Sequence, residues 1–216
     1  MRAWIWRRIF NNVKDPQFSK FVLFVNSLVP LALLAWDGYW HHLGANPTLY
    51  AIHTTGMLTL VFLFLTLAVT PLRKITGWNW VSHFRRMLGL YAFFYGCLHL
   101  LTYVVFQQSF NLKAVANDTI KHPFILFGMT ALLLMVPLAI TSTNAMIKRL
   151  GAAKWKRLHQ LIYISAIAGV LHYYLLVKAD TRQPIAFAIV LAILFAYRLL
   201  VNQLSFLRRK PMAAAH

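Results

Sequence analysis

Six apolar runs, each about as long as a lipid bilayer core is thick, constrain this chain more than any other feature. They fall at roughly 18–36, 49–70, 87–106, 123–141, 157–177 and 184–203, and about twenty such residues suffice for a helix to cross the hydrocarbon core. In lipid the backbone must satisfy its own hydrogen bonds, so each run is expected to be a helix. Composition agrees: 60% of the 216 residues are apolar and 12% charged, against about a quarter charged in an ordinary soluble domain. The expected fold is an all-α integral membrane bundle of six transmembrane helices. No stretch outside the runs is long enough to fold alone, so residues 1–216 are read as a single domain.

The formal charge of +18 does not call for nucleic acid, because the cations sit in small groups beside the apolar runs and read as topology signals and lipid headgroup contacts. Arg2, Arg7, Arg8, Lys14 and Lys20 precede run one. Arg73, Lys74, Arg85 and Arg86 lie between runs two and three, and Lys148, Arg149, Lys154, Lys156 and Arg157 between four and five. Arg198, Arg208, Arg209 and Lys210 close the chain. Only Lys113, Lys121, Lys178 and Arg182 fall on the other side. The imbalance places both termini in the cytoplasm.

Trp36, Trp40, Trp78, Trp80 and Trp155 near run ends read as interface anchors. Pro71 and Pro123 are expected at helix borders, Asp37-Gly38 and Thr76-Gly77 at turns, and Pro30 and Pro137 at kinks within spans. One cysteine, Cys97, excludes an intrachain disulfide and a four-thiolate cluster, and there is no C-x-x-C-H for covalent haem attachment. The amino-terminal MRAWIWRRIF segment lacks the apolar core of a cleavable signal peptide.

The chemistry is expected at histidines. An ionisable or ligating side chain within the membrane is costly and marks function by default. His99 lies in YAFFYGCLHLLTY of run three, and His159 and His172 lie thirteen residues apart in run five. Runs three and five point the same way, which places His99 and His172 roughly 18 and 23 Å from the inner border at 1.5 Å per residue. Two neutral imidazoles at one level, from neighbouring helices, are what a b-type haem needs as axial ligands. His159 sits about 20 Å closer to the cytoplasm and could serve a second haem, for which Arg85 offers a propionate clamp more readily than an axial ligand. His83 is placed too far into the loop. His53, at the outer end of run two, could meet a propionate, a quinone or an outer partner. The tyrosines near these histidines are expected to pack with satisfied hydroxyls, and the methionines and Cys97 to fill gaps.

With those residues in place, the chain resembles the MsrQ (YedZ) family of haem-binding membrane subunits, within the ferric-reductase-like transmembrane superfamily. The likeness runs from about Asn46 to Arg198. It is carried by IHTTG at 52–56, TPL at 70–72, RRMLGLYAFFYGCLHLLTY at 85–103, TST at 141–143, KWKRLHQLIYI from 154, and LHYY at 171–174. The resemblance implies haem b at His99 and His172, and a further haem at His159. It also implies electrons drawn from the quinone pool, with flavin mononucleotide (FMN) associated. Their destination would be a periplasmic, molybdenum-containing methionine sulfoxide reductase that repairs oxidised proteins. The chain would thus be an inner-membrane electron-transfer subunit and not itself the catalytic one. Larger relatives carry a cytoplasmic flavin and nicotinamide domain; here the reductant is expected to be borrowed. Met57 follows the HTTG glycine where relatives carry Arg, so no role of that Arg is carried over to this chain. A stand-alone ferric or quinone reductase of the same fold stays open. A solute or proton transporter is disfavoured because Asp15, Asp37, Asp118 and Asp180, the only acidic residues, are expected in loops.

Overall fold

The computed structural model describes residues 15–213, among which there is no strand. The basic residues Arg2, Arg7, Arg8 and Lys14, the signal-peptide reading and the terminal His216 lie outside the described residues. Helix α1 spans Pro16–Tyr39; the Asp15 side chain caps it by accepting from the Gln17 N–H at 2.9 Å, and Pro16 fits the first turn, where no amide partner is needed. Helix α2, Pro47–Thr76, starts the same way, with Asn46 accepting from the Leu49 N–H at 3.0 Å and Pro47 in the first turn. Gly77, at φ 74°, ends it in the left-handed conformation that glycine adopts without a steric penalty. A 3-10 turn, Asn79–Phe84, leads into α3, Arg85–Thr102, which continues through a π turn at Tyr103–Gln107. Next come α4, Leu112–Lys121, and α5, Pro123–Ile140, then α6, Asn144–Leu150, and α7, Ala152–Leu158. Helices α8, Leu161–Leu176, and α9, Arg182–Ala213, complete the described chain.

Among the described residues, five helical segments are long and apolar enough to cross a membrane: Gln17–Tyr39, Pro47–Thr76, Asn79–Gln107, Pro123–Ile140 and Arg182–Val201. The run expected at 157–177 differs. The chain turns at His159 and Gln160, so only the 16 residues of α8 remain continuous, about 24 Å at 1.5 Å per residue. Other boundaries move too. Pro71 lies inside α2, not at its border, because a neighbouring helix serves the carbonyl it frees, as described below. Pro30 and Pro137 do not end their helices. Asp37 and Gly38 belong to the last turn of α1, and Asp118 to α4, so two of the four acidic residues expected in loops are helical.

Two helix pairs form the frame, α2 against α3 and α5 against α8. Small residues permit the approach: Ala92, Ser165 and Ala166 are completely buried, and a Cβ on Gly169 would lie 3.1 Å from Leu60. Phe62 stacks on Tyr91 and Tyr95, at 5.4 and 5.3 Å between ring centroids. The Tyr91 and Tyr95 hydroxyls then reach α1, donating to the Phe24 carbonyl at 3.0 Å and the Ser27 carbonyl at 2.5 Å. Ser165 ties α8 to α5 by donating to the Ala131 carbonyl at 2.9 Å. Phe21, Leu133 and Ile193 are instead turned outward, each more than three-fifths exposed. An apolar exterior around a core closed by small residues suits a lipid solvent.

Candidate haem centre

The rings of His99 on α3 and His172 on α8 face each other, 5.9 Å between centroids and 78° between planes. Each ring is fixed from behind by the helix paired with its own. His99 Nδ1 lies 2.9 Å from the Ile52 carbonyl oxygen of α2, and His172 Nδ1 lies 2.6 Å from the Phe124 carbonyl oxygen of α5. A carbonyl only accepts, so each Nδ1 carries the proton and each Nε2 keeps its lone pair. That is the tautomer a metal ligand requires.

Both contacts depend on a glycine four residues further along. Gly56 follows Ile52 and Gly128 follows Phe124. A helical side chain leans back toward the amino terminus, over the carbonyl one turn earlier. A Cβ on Gly56 would lie 3.0 Å from both Nδ1 and Cε1 of His99, and one on Gly128 would lie 2.8 Å from His172 Nδ1. The glycines are therefore what opens these carbonyls to the rings.

The second group lies on another level. His159, at the turn between α7 and α8, stacks on Trp155 at 3.8 Å between centroids. Its Nδ1 lies 3.1 Å from the Trp155 carbonyl oxygen, while its Nε2 is buried without a hydrogen-bond partner. The Trp155 indole donates to the Thr141 carbonyl at 2.9 Å. Trp155, expected as an interface anchor, also packs against His159. Both line a cavity of about 670 Å³ that also includes Arg85, Gly89, Tyr163 and Arg198. Arg85 donates to the Thr70 hydroxyl at 2.9 Å.

His53 is exposed and borders a separate recess of about 260 Å³ with Asn46 and Tyr50. His83 approaches the Trp80 carbonyl at 3.0 Å and does not line the larger cavity. The structure thus brings His99 and His172 together, places His159 and Arg85 on the wall of one cavity, and sets His53 and His83 apart. Sequence reasoning missed Ile52, Phe124 and Gly128 as supports, and Thr70, Tyr163 and Arg198 at the second cavity. Each glycine stands four residues after the carbonyl it exposes, but every residue carries a carbonyl, so no local signal singled these out.

The His99/His172 pair fits haem. Two metal–nitrogen bonds of about 2 Å plus the two ring half-widths would separate a pair of axial imidazoles by about 6 Å, close to the 5.9 Å observed. Among the described residues no three or more His, Cys, Asp or Glu side chains converge as a metal site. A porphyrin brings its own four nitrogens and asks only for axial ligands.

The sequence profile of the ferric reductase-like transmembrane component family matches residues 52–170, opening at the residue whose carbonyl receives His99. A protein of Herminiimonas arsenicoxydans, the protein-methionine-sulfoxide reductase heme-binding subunit MsrQ, is 46% identical over 187 residues, covering 85% of this chain and 86% of that one. The MsrQ subunits of Azospira oryzae and Rhodospirillum rubrum are 51% and 45% identical, covering 83% and 85% of this chain and 77% and 88% of their own lengths. The chain belongs to the MsrQ family. Within this family of multi-pass membrane proteins, the two helix pairs and the facing imidazoles are the features to interpret.

Proposed function

We propose that this protein is the haem-binding membrane subunit of a methionine sulfoxide reductase system. It would act as a b-type cytochrome, conducting electrons across the bacterial inner membrane to a periplasmic, molybdenum-containing catalytic partner. The observation that carries the reading is the facing of His99 and His172, each with Nδ1 tied to a carbonyl and Nε2 free. The relatives' names, which specify a heme-binding subunit of this reductase, support it.

Haem, when bound, supplies reversible one-electron transfer; the protein supplies ligation, burial and orientation. His99 and His172 would hold an outer haem b, with Ile52 and Phe124 fixing the ring tautomers. His159, stacked on Trp155 in the cavity that Arg85 also lines, would hold an inner one through its Nε2. Electrons would enter from quinone or FMN. His53, exposed beside its own recess, is free to meet a propionate, a quinone or the partner. The bundle would count six spans, α8 tilting less than its longer neighbours, and both termini would face the cytoplasm, as the distribution of Lys and Arg supports.

The decisive experiment is the visible spectrum of the detergent-purified protein, oxidised and then reduced. A low-spin b-type Soret and α band is expected, and His99→Ala and His172→Ala should each abolish the same component. If one variant keeps it, the pairing is wrong. The ferric reductase-like profile favours a second reading, direct reduction of ferric chelates. Rates of electron delivery to a methionine sulfoxide reductase and to ferric citrate separate the two.

A further inference from the structure

The inner cavity is lined by Lys74, Arg85, Lys156 and Arg198 and by no Asp or Glu. Counting cations by loop makes Arg198 a surface topology signal near the end of run six, whereas it lies midway along α9. The structure turns it inward. Pro71 has no N–H, so the Leu67 carbonyl one turn earlier in α2 loses its helical partner. Arg198 Nη2 donates to that carbonyl at 2.9 Å and to the Thr70 hydroxyl oxygen at 3.3 Å. Its Nη1 donates to the Tyr163 hydroxyl, its guanidinium carbon lies 4.9 Å from the Tyr163 ring centroid, and its Nε is buried without a partner.

Arg85 reaches the same Thr70 oxygen from α3, at 2.9 Å. One neutral hydroxyl thus gathers two guanidinium groups at the wall of a cavity. Every recorded partner of Arg198 is a carbonyl or a hydroxyl, so its charge is solvated but not neutralised. Two like charges converging in a partly buried place cost free energy unless an anion joins them. Guanidinium is the side chain whose forked donors match a two-oxygen anion.

We propose that Arg85 and Arg198, drawn together by Thr70, form an anion clamp that holds the carboxylate or phosphate group of a redox cofactor seated in the inner cavity. The inference rests on the reading that this cavity takes a cofactor beside His159. It adds Arg198 and Thr70 as binding residues and fixes the required ligand chemistry as anionic. Haem would supply the anion through its propionates, and a flavin mononucleotide through its phosphate.

The test uses detergent-purified full-length protein. Haem is quantified as the pyridine haemochrome and flavin by fluorescence after acid extraction, both per polypeptide. Arg198→Gln should weaken retention of one cofactor by about tenfold, the scale for losing hydrogen bonds to a charged group, and leave the component held by His99 and His172 in place. Loss of the second haem identifies carboxylate as the clamped group; loss of flavin with haem intact identifies phosphate. Arg198→Lys should retain part of the cofactor, since charge survives but the fork does not. Thr70→Val should show a smaller loss in the same direction.

A purely structural role has its own signature. Pro71→Ala restores the N–H that serves the Leu67 carbonyl. If Arg198 only capped that carbonyl, the Pro71→Ala/Arg198→Gln double variant would recover wild-type cofactor content, and the clamp would be overturned. Full cofactor content in Arg198→Gln alone would overturn it as well. Wild-type protein holding only the His99/His172 haem and no flavin would overturn the inner-site reading itself, and the clamp with it.

Discussion

Gly128→Ala is the sharpest probe of how His172 is held. The added Cβ would lie 2.8 Å from Nδ1, 3.0 Å from Cε1 and 3.2 Å from Cγ of the ring, where ordinary contact begins at 3.4 Å. Ring or helix must withdraw by the difference between 2.8 and 3.4 Å. Along the hydrogen bond to Phe124, now 2.6 Å, that retreat leads to about 3.2 Å, the outer edge of a good bond. The weakened bond gives up at most about 1 kcal/mol and forced overpacking costs about 1–3 kcal/mol, against a helix-propensity gain of at most about 1 kcal/mol for replacing glycine. The penalty wins. A net cost of about 1–3 kcal/mol lowers haem retention roughly 5- to 150-fold. The assay is the reduced-minus-oxidised α band per polypeptide, with low-temperature EPR reporting how the axial rings are oriented. Gly56→Ala, whose Cβ meets His99 at 3.0 Å, should show a smaller effect of the same kind. Gly38→Ala, 3.5 Å from Leu43, should show none. Wild-type haem content and an unchanged EPR spectrum in Gly128→Ala would refute the claim that the glycine opens the Phe124 carbonyl to the ring.

His159→Ala should remove one haem and spare the His99/His172 component; full haem content in that variant, measured as the pyridine haemochrome, would eliminate His159 as a ligand. Tyr95→Phe removes the hydroxyl that joins buried α3 to the Ser27 carbonyl of α1. It should cost about 1 kcal/mol, read as earlier thermal loss of the Soret band in detergent, with the spectrum of the intact protein unchanged.

The parts that were legible from sequence are those set by local chemistry. Apolar length is a property of one segment, so five spanning helices appeared close to where the runs lie. The turn at His159 and Gln160 lies in the polar KRLHQ that precedes the apolar LIYISAIAGVL, and counting the run from Arg157 carried the helix through it. Depth along parallel helices is arithmetic on residue number, and it matched His99 with His172. Helix α4 was invisible to span counting, which treats whatever lies between apolar runs as loop. The cations exposed the larger blind spot: counting by side treats Arg198 as one unit of positive charge among eighteen. Its real environment depends on Pro71, 127 positions earlier, and on which helix carries the carbonyl that this proline frees.

The same dependence governs the histidines. The steps Ile52 to Gly56 and Phe124 to Gly128 stand in plain view in the sequence, yet a glycine one turn after a carbonyl means nothing until a ring arrives from another helix. Pairing α2 with α3 and α5 with α8 brings one ring to each. Each pair therefore prepares one imidazole by the same device, and the two rings come within 5.9 Å only when the pairs close on each other. Substituting either glycine tests one half of the arrangement by itself, so unequal effects at Gly56 and Gly128 would measure how independently the two halves are built.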